Sequence, residues 1–434
     1  MTVLGPDDFT ITGESHICSL LWFLIKARRA KRYHHCLGME TVLIKPPWLT
    51  VEFQSSPSFE TASLERFTAV PLGTAWTEIE HKELTEVKER IEPLETNHKW
   101  ELLKKKTNPY ELVYTQESTD CPPSLAILKP LSRSYFKMIE MLKVSQFFER
   151  LPKGINKLRS SHVAEGPGGF IEAFLDRAET NRIPVLKSYA ITLKPTNNHV
   201  PGWRRSYTFL QRHPEVKIHY GVDGTGDIYK PANQESFLKI HDQKAHLFTG
   251  DGGFDFSKDY ENQEKSMYPL LVSSALIGLR VLAPDGIFVL KLFDLYSSQT
   301  QHFLRGVTLC FKEWCLYKPA TSRPCNSERY LICRGFRKAH PQILAWLQHL
   351  QTQWTASQLV PQTDFFAGFT EEETLYLKTH IDQFRTRQVE NLEGTLLLQD
   401  VPPSQFDWKD QYGKALQWCS EFHVPATKPK EFTH

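Results

Sequence analysis

Two polar residues set where short apolar runs end carry the first chemical signal in this sequence: Asp251, closing "AHLFTGD", and Lys291, inside "GIFVLKLF". A lysine flanked on both sides by apolar residues belongs to a segment that packs. Its ammonium is costly to keep charged there, so its pKa is open to tuning. Upstream, "AEGPGGFIEAFL" (residues 164–175) places three glycines and a proline between an apolar run and an amphipathic one. After Gly166 and Gly168, Ile171 stands where a dinucleotide fingerprint needs its third glycine, and no Gly-Lys-Ser/Thr follows as a phosphate loop requires. What remains is a turn that either permits tight packing or lets backbone approach a small nucleoside cofactor. S-adenosylmethionine suits it, because its sulfonium tolerates the carboxylates of Glu165 and Asp251. Methyl transfer from a sulfonium to an alcohol asks for a hydroxyl held in line and its proton taken. A lysine can take it if a second lysine and the sulfonium charge lower its pKa.

The elements that must position these groups alternate along the middle of the chain. "SHVAEGPGGF" reads as a strand and Gly-rich turn, and "IEAFLDRA" as the start of a helix. "SYAITL", "VKIHYGV", "AHLFTGDGG" and "GIFVLKLF" read as strands, with the helix "EKSMYPLLVSSALIGLRVL" before the last of them. "EWCLYKP" and "RYLICRGF" read as paired strands across a polar loop. This alternation predicts a doubly wound, Rossmann-like α/β sheet, mostly parallel with an antiparallel last strand. In such sheets ligands sit at the carboxyl ends of strands, where the Gly turn, Asp251 and Lys291 all fall. Composition separates residues 1–100, 101–337 and 338–434. The flanks are mainly helical: "ELTEVKERIEPLE" ends near Pro93, and "AHPQILAWLQHLQTQW" and "TEEETLYLKTHIDQFRTRQ" carry apolar residues at helical spacing.

At 434 residues, 40% hydrophobic and 12% aromatic, the chain has a full-sized core and reads as folded and soluble. A net charge of +2 confines any nucleic-acid surface to a local patch. The eight cysteines include no CxxC pair, which fits a reduced, intracellular setting. Cys18, His34, His35 and Cys36 have the wrong spacing for a zinc finger, so no metal is expected. "CSLLWFLI" (18–25) is too short for a bilayer, which needs about 20 residues, and predicts a buried helix without membrane attachment. The basic run "KARRAKR" after it is either a solvated face or an RNA or nuclear-import patch.

Taken together these residues resemble the FtsJ-type RNA ribose 2'-O-methyltransferases, in particular the cap-specific mRNA (nucleoside-2'-O-)-methyltransferases, over roughly residues 104–337. "TNPYE" resembles the segment leading into that domain, "SRSYFKMIEML" its first catalytic-lysine helix, "EGPGGF" its cofactor loop and "GVDGTGDI" its adenine-binding segment. "TGDGGFDF" resembles the catalytic-aspartate motif, "FVLKLFDLYS" the second catalytic-lysine strand and "KPATSRPCNSERY" the late loop of the cap enzymes. The resemblance implies a catalytic set of Lys137, Asp251, Lys291 and Glu328. It implies S-adenosylmethionine held by Glu165, Gly166, Pro167, Gly168, Gly169, Phe170, Thr192, Asp227 and Asp251. It implies methylation of the ribose 2'-hydroxyl of the first or second transcribed nucleotide of 5'-capped mRNA. The alternatives are a non-catalytic cap- or RNA-binding subunit and an enzyme acting on uncapped ribosomal or transfer RNA.

Two positions depart from the pattern: His162 stands where an aspartate is common, and Thr192 where a carboxylate often holds the cofactor ribose. For the RNA, Lys104, Lys105 and Lys106 are either phosphate contacts or a solvent-facing helix end, and Tyr110 follows them. Trp203, Arg204, Arg205 and Tyr207 interleave aromatic and basic groups as single-strand binding requires, although Trp203 also suits a core anchor. Ser322, Arg323 and Asn326 are the candidates in the late loop. The resemblance further implies capping or transcription proteins as partners and an intracellular location, the nucleus for a cellular host or the cytoplasm for a virus.

Overall fold

A computed structural model describes residues 46–51, 69–71, 81–95, 99–195, 202–253, 263–357, 359–361 and 369–427. The apolar run at 18–25, the basic run after it and the Cys18, His34, His35 and Cys36 group lie outside the described residues.

The apolar runs of the middle region become the strands of one eight-stranded sheet. In chain order they are β1 (Leu49–Thr50), β3 (Leu158–Val163), β4 (Val185–Ile191), β5 (Val216–His219), β6 (Ala245–Gly250), β7 (Leu282–Leu292), β8 (Phe311–Tyr317) and β9 (Arg329–Phe336); β2 (Ala69–Pro71) and β10 (Leu359–Pro361) pair separately. The order across the sheet is β1-β8-β9-β7-β6-β3-β4-β5. Strands β3 to β7 run parallel, and β9 enters antiparallel between β7 and β8. The expected mostly parallel α/β sheet with an antiparallel last strand is present. The N-terminal flank adds an antiparallel edge strand, β1, that a two-residue apolar stretch does not announce.

The helices are α1 (Lys82–Glu95), α2 (Lys99–Thr107), α3 (Ser134–Val144), α4 (Gly169–Thr180), α5 (Tyr207–Arg212), α6 (Pro231–Lys239), α7 (Gln263–Val281), α8 (Ser298–Thr308), α9 (Pro341–Ser357), α10 (Glu371–Leu396) and α11 (Lys409–Glu421). They cover both faces of the sheet. One core gathers apolar side chains of α1, α2, α7, α8, α9 and α10, and the other those of α3, α4, α5 and α11. Helix α7 is buried nearly all round, as its apolar composition demands. Among the described residues no helix is long and apolar enough to cross a membrane, and no group of three or more His, Cys, Asp or Glu is placed to hold a metal.

Helix α10 runs past the end of its predicted segment to Leu396, because Leu392 and Leu396 keep the same apolar face on the core. It starts on a capping box in which Thr370 and Glu373 satisfy each other's backbone N–H groups. The same Glu373 accepts from Arg305 Nη1 of α8 at 2.6 Å, with both side chains buried. Replacing Glu373 by Ala strands that guanidinium and opens the cap. The expected cost is about 3–5 kcal/mol, read as a lower midpoint in urea denaturation.

Candidate active site

Four polar side chains meet at the carboxyl edge of the sheet, each brought by a different element. Lys137 is on the first turn of α3, Asp251 follows β6, Lys291 is the penultimate residue of β7, and Glu328 immediately precedes β9. Antiparallel pairing sets Lys291 opposite Tyr330, and period-two alternation then puts Glu328 on the same side of the sheet. Lys137 Nζ lies 2.6 Å from Glu328 Oε1, and Lys291 Nζ lies 2.8 Å from Asp251 Oδ1. Lys291 also donates to the Asp251 carbonyl, Ser322 Oγ donates to Glu328 Oε1, and the Tyr330 hydroxyl donates to Asp251 Oδ1 at 2.7 Å. Two ammonium groups and two carboxylates thus form a buried, crossed set.

The charges are not equivalent. Burial would push the Glu328 carboxyl up, but Lys137, Lys291 and Lys318 outweigh it and hold that carboxyl well below the ordinary range. For Lys137, burial wins over the carboxylates of Glu328 and Asp251, and its pKa falls. Lys291 is also pushed down by burial, yet the same two carboxylates outweigh this and leave its pKa raised. With only protein charges around it, Lys291 is therefore an ammonium.

The glycine turn lies beside this set. Gly168 takes a left-handed conformation (φ +106°), and a side chain there would meet the Trp203 ring at 2.8 Å. The Ser206 hydroxyl donates to the Pro167 carbonyl, so the turn is fastened from α5's side. Glu165 Oε1 accepts from Thr249 Oγ1, while its Oε2, 3.2 Å from His162 Nδ1, has no hydrogen bond among the described residues. Burial pushes the Glu165 pKa up, opposed by His162 and Thr249. His162 is fully buried, its ring nitrogens 2.6 Å from Thr249 Oγ1 and 2.7 Å from Ser160 Oγ. It is a link between strands, and the Glu165 carboxylate rests against it and Thr249.

Thr192 and Asp227 sit beyond the ends of β4 and β5; Thr192 is buried, and Asp227 Oδ1 accepts from the Tyr229 N–H. Gly226 makes this possible, since any side chain there would collide with the Thr192 carbonyl. The buried Glu165 carboxylate, the close-approach glycines and the half-buried Asp227 form a cradle that fits a nucleoside cofactor. Phe170 is fully buried with its ring 5.9 Å from Tyr330, so it props the site from inside the core.

The expected RNA contacts divide. Lys106 is a correction: it is buried, donates to the Asp407 carbonyl and lies over the Trp408 ring at 4.9 Å, with burial lowering its pKa to about 8. No ammonium is left there for a phosphate. Trp203 is a second correction, since it is buried in the core beneath Gly168. Lys104 is half-buried and pairs with Glu101, and Tyr110 is half-buried, its hydroxyl pKa raised to about 12 by burial. Arg323 is held by Glu111 and Glu101, Ser322 faces Glu328, and Asn326 accepts from Lys318 Nζ at 2.7 Å. These three shape the late loop from within. Arg204, Arg205 and Tyr207 are exposed, Tyr207 by 68%. Tyr330 and Lys318, neither of them singled out by the sequence pattern, also belong to the site. Tyr330's position two residues after Glu328 was the available signal for it.

Residues 130–336 match the family described as FtsJ-like methyltransferase. The chain is 32% identical over 237 residues to the cap-specific mRNA (nucleoside-2'-O-)-methyltransferase 1 of Xenopus laevis, covering 50% of this chain and 27% of that protein. It is 32% identical over 228 residues to the protein of that name from Trypanosoma brucei brucei, covering 51% of this chain and 58% of the relative. With that of Mus musculus it shares 35% identity over 192 residues, covering 42% and 22%. The chain thus spans less than two thirds of the length of each of these relatives.

Proposed function

We propose that this chain, which carries an FtsJ-like methyltransferase domain over residues 130–336, transfers a methyl group from S-adenosylmethionine to a ribose 2'-hydroxyl near the 5' end of capped mRNA. The observation that carries the reading is the crossed buried pairing of Lys137 with Glu328 and Lys291 with Asp251 beside the glycine turn and the buried Glu165 carboxylate. The relatives' shared name supports a capped substrate over an uncapped one.

Bound S-adenosylmethionine supplies a methyl carbon on a cationic sulfur. The chain's own residues do the rest. Glu165, with the 166–170 turn, Thr192 and Asp227, holds the cofactor. Lys137 and Glu328, locked to each other, fix the ribose against the sheet edge. Asp251 orients Lys291 through two contacts and is itself held by Tyr330. Lys291 takes the hydroxyl proton. Its pKa is raised by Asp251 and Glu328 in the free chain, so a cationic cofactor nearby would be needed to favour the neutral amine.

For the RNA, the exposed aromatic is Tyr207, flanked by Arg204 and Arg205 and fastened to the cofactor loop through Ser206. Stacking of one base is worth about 1–3 kcal/mol, so Tyr207→Ala is expected to raise the RNA KM by about 5- to 150-fold. Cofactor affinity stays unchanged. Steady-state kinetics with each substrate varied in turn check this.

Capping or transcription proteins are the partners this substrate brings, and the nucleus is the compartment where a cellular protein meets it. The deciding experiment incubates the chain with cap-0, cap-1 and uncapped RNA and labelled methyl donor, then identifies the methylated nucleotide by mass spectrometry. Label on capped RNA supports the reading. Label on uncapped RNA alone, or on none, overturns it.

A further inference from the structure

We propose that Glu140 is a positioning residue for this site, tying the helix that carries Lys137 to the loop that carries Glu328 and to the C-terminal helix α11. The inference rests on the role given above to the Lys137–Glu328 pair. Glu140 lies one turn beyond Lys137 on α3, on the same face of the helix, and is fully buried. Its Oε2 accepts from the Tyr317 hydroxyl at 2.7 Å and the Ala320 N–H at 2.6 Å. Its Oε1 accepts from the Thr321 N–H at 2.9 Å, the Thr321 hydroxyl at 2.6 Å and Trp418 Nε1 at 3.1 Å. A carboxylate has about four lone-pair sites, so five donors saturate it.

Burial pushes this carboxyl's pKa up, and the donors pull the other way. An acid held here against burial answers a specific need. A carboxamide would turn its NH2 on two of the donors, and an alkyl chain would leave all five unpaired. The donors come from where the late loop leaves β8, at Tyr317, Ala320 and Thr321. The loop's other end is closed by Lys318, whose Nζ donates to Asn326 Oδ1 and to the carbonyls of Asn326 and Glu328. Glu140 therefore fixes where the loop starts, Lys318 fixes how it closes, and Glu328 lands on Lys137 as a result. Through Trp418 the arrangement extends to α11, outside the segment that matches the family.

The test compares the full chain with its E140Q and W418F variants by amide hydrogen exchange over residues 318–328 and by kcat against pH on cap-0 RNA. With E140Q, exchange in that loop is expected to rise about tenfold or more while β3 and β6 keep their protection. Turnover falls about tenfold or more, the methyl donor KM stays within about threefold, and the pH limb of kcat moves. W418F removes one donor and leaves the carboxylate, so it shows the same changes at smaller size even if E140Q does not fold. Unchanged loop exchange overturns the proposal. So does a variant that only melts earlier while its kcat per folded molecule and pH limb stay put. If the wild-type chain methylates no RNA, the reading of the site fails on its own, and loop exchange still decides Glu140.

Discussion

Lys291→Met is expected to cut methyl transfer by about 100- to 10,000-fold, the usual span for a lost proton acceptor. Methyl-donor binding should survive, because among the described residues the hydrogen bonds of Lys291 go to Asp251, and Asp251 keeps Tyr330. Isothermal titration with the methyl donor and single-turnover kinetics separate the two. Lys291→Arg sharpens the test. Arginine keeps the positive charge but does not give up its proton, so it fails if Lys291 is a base and works if Lys291 is only a fixed cation. Wild-type turnover by that variant would sink the base assignment.

The pH dependence follows with a definite sign. A base must be unprotonated, so rate climbs as pH rises through its pKa. Before the sulfonium arrives, Asp251 and Glu328 hold the Lys291 pKa above its ordinary value. The limb of kcat/KM for the methyl donor therefore lies on the alkaline side. On the function proposed above, a bound sulfonium would lower that pKa, and the limb of kcat is expected at lower pH. Coincident limbs would mean that the sulfonium does not tune this lysine.

The strands that carry these groups were readable because each is an apolar run with its polar residue at the carboxyl end. "GIFVLKLF" and "AHLFTGDGG" gave Lys291 and Asp251 a shared edge before any register was known. What the sequence could not disclose is which segment from far along the chain covers a given face. Lys106 looks like the end of an exposed basic run, yet its cover, Phe406 to Trp408, comes from about 300 residues downstream. Trp203 has the composition of a stacking platform, but the left-handed Gly168 brings the turn down onto its ring and makes it core. Glu140 reads as an ordinary polar residue in a helix, since its donors lie 177 to 278 positions away. His162 is the reverse case, a departure from pattern whose ring is fully buried and spent on Thr249 and Ser160 between the strands. Local chemistry was legible in each case, and long-range burial was not.

The Lys137–Glu328 pair predicts opposite signs for stability and activity when it is taken apart in steps. The Glu328 carboxylate is shared by Lys137, Lys291 and Lys318. Glu328→Gln leaves three buried cations with Asp251 as their remaining carboxylate, so the fold is expected to lose about 3–5 kcal/mol and turnover about 100-fold or more. Lys137→Met removes one cation of the three and leaves Glu328 two partners. Its stability loss should be distinctly smaller, and burial already disfavours its charged form. Its turnover should fall as far, because Glu328 then loses its direct ion pair to α3. In the double variant the imbalance returns to that of the wild type, with Lys291 and Lys318 left against Asp251. Stability should recover most of what Glu328→Gln lost, while turnover stays at the level of the worse single variant, far above the product of the two losses. Urea denaturation and single-turnover kinetics on the same four proteins measure both. Losses that simply add, in stability and in rate alike, would mean that the two residues act apart and that their 2.6 Å contact carries no part of the mechanism.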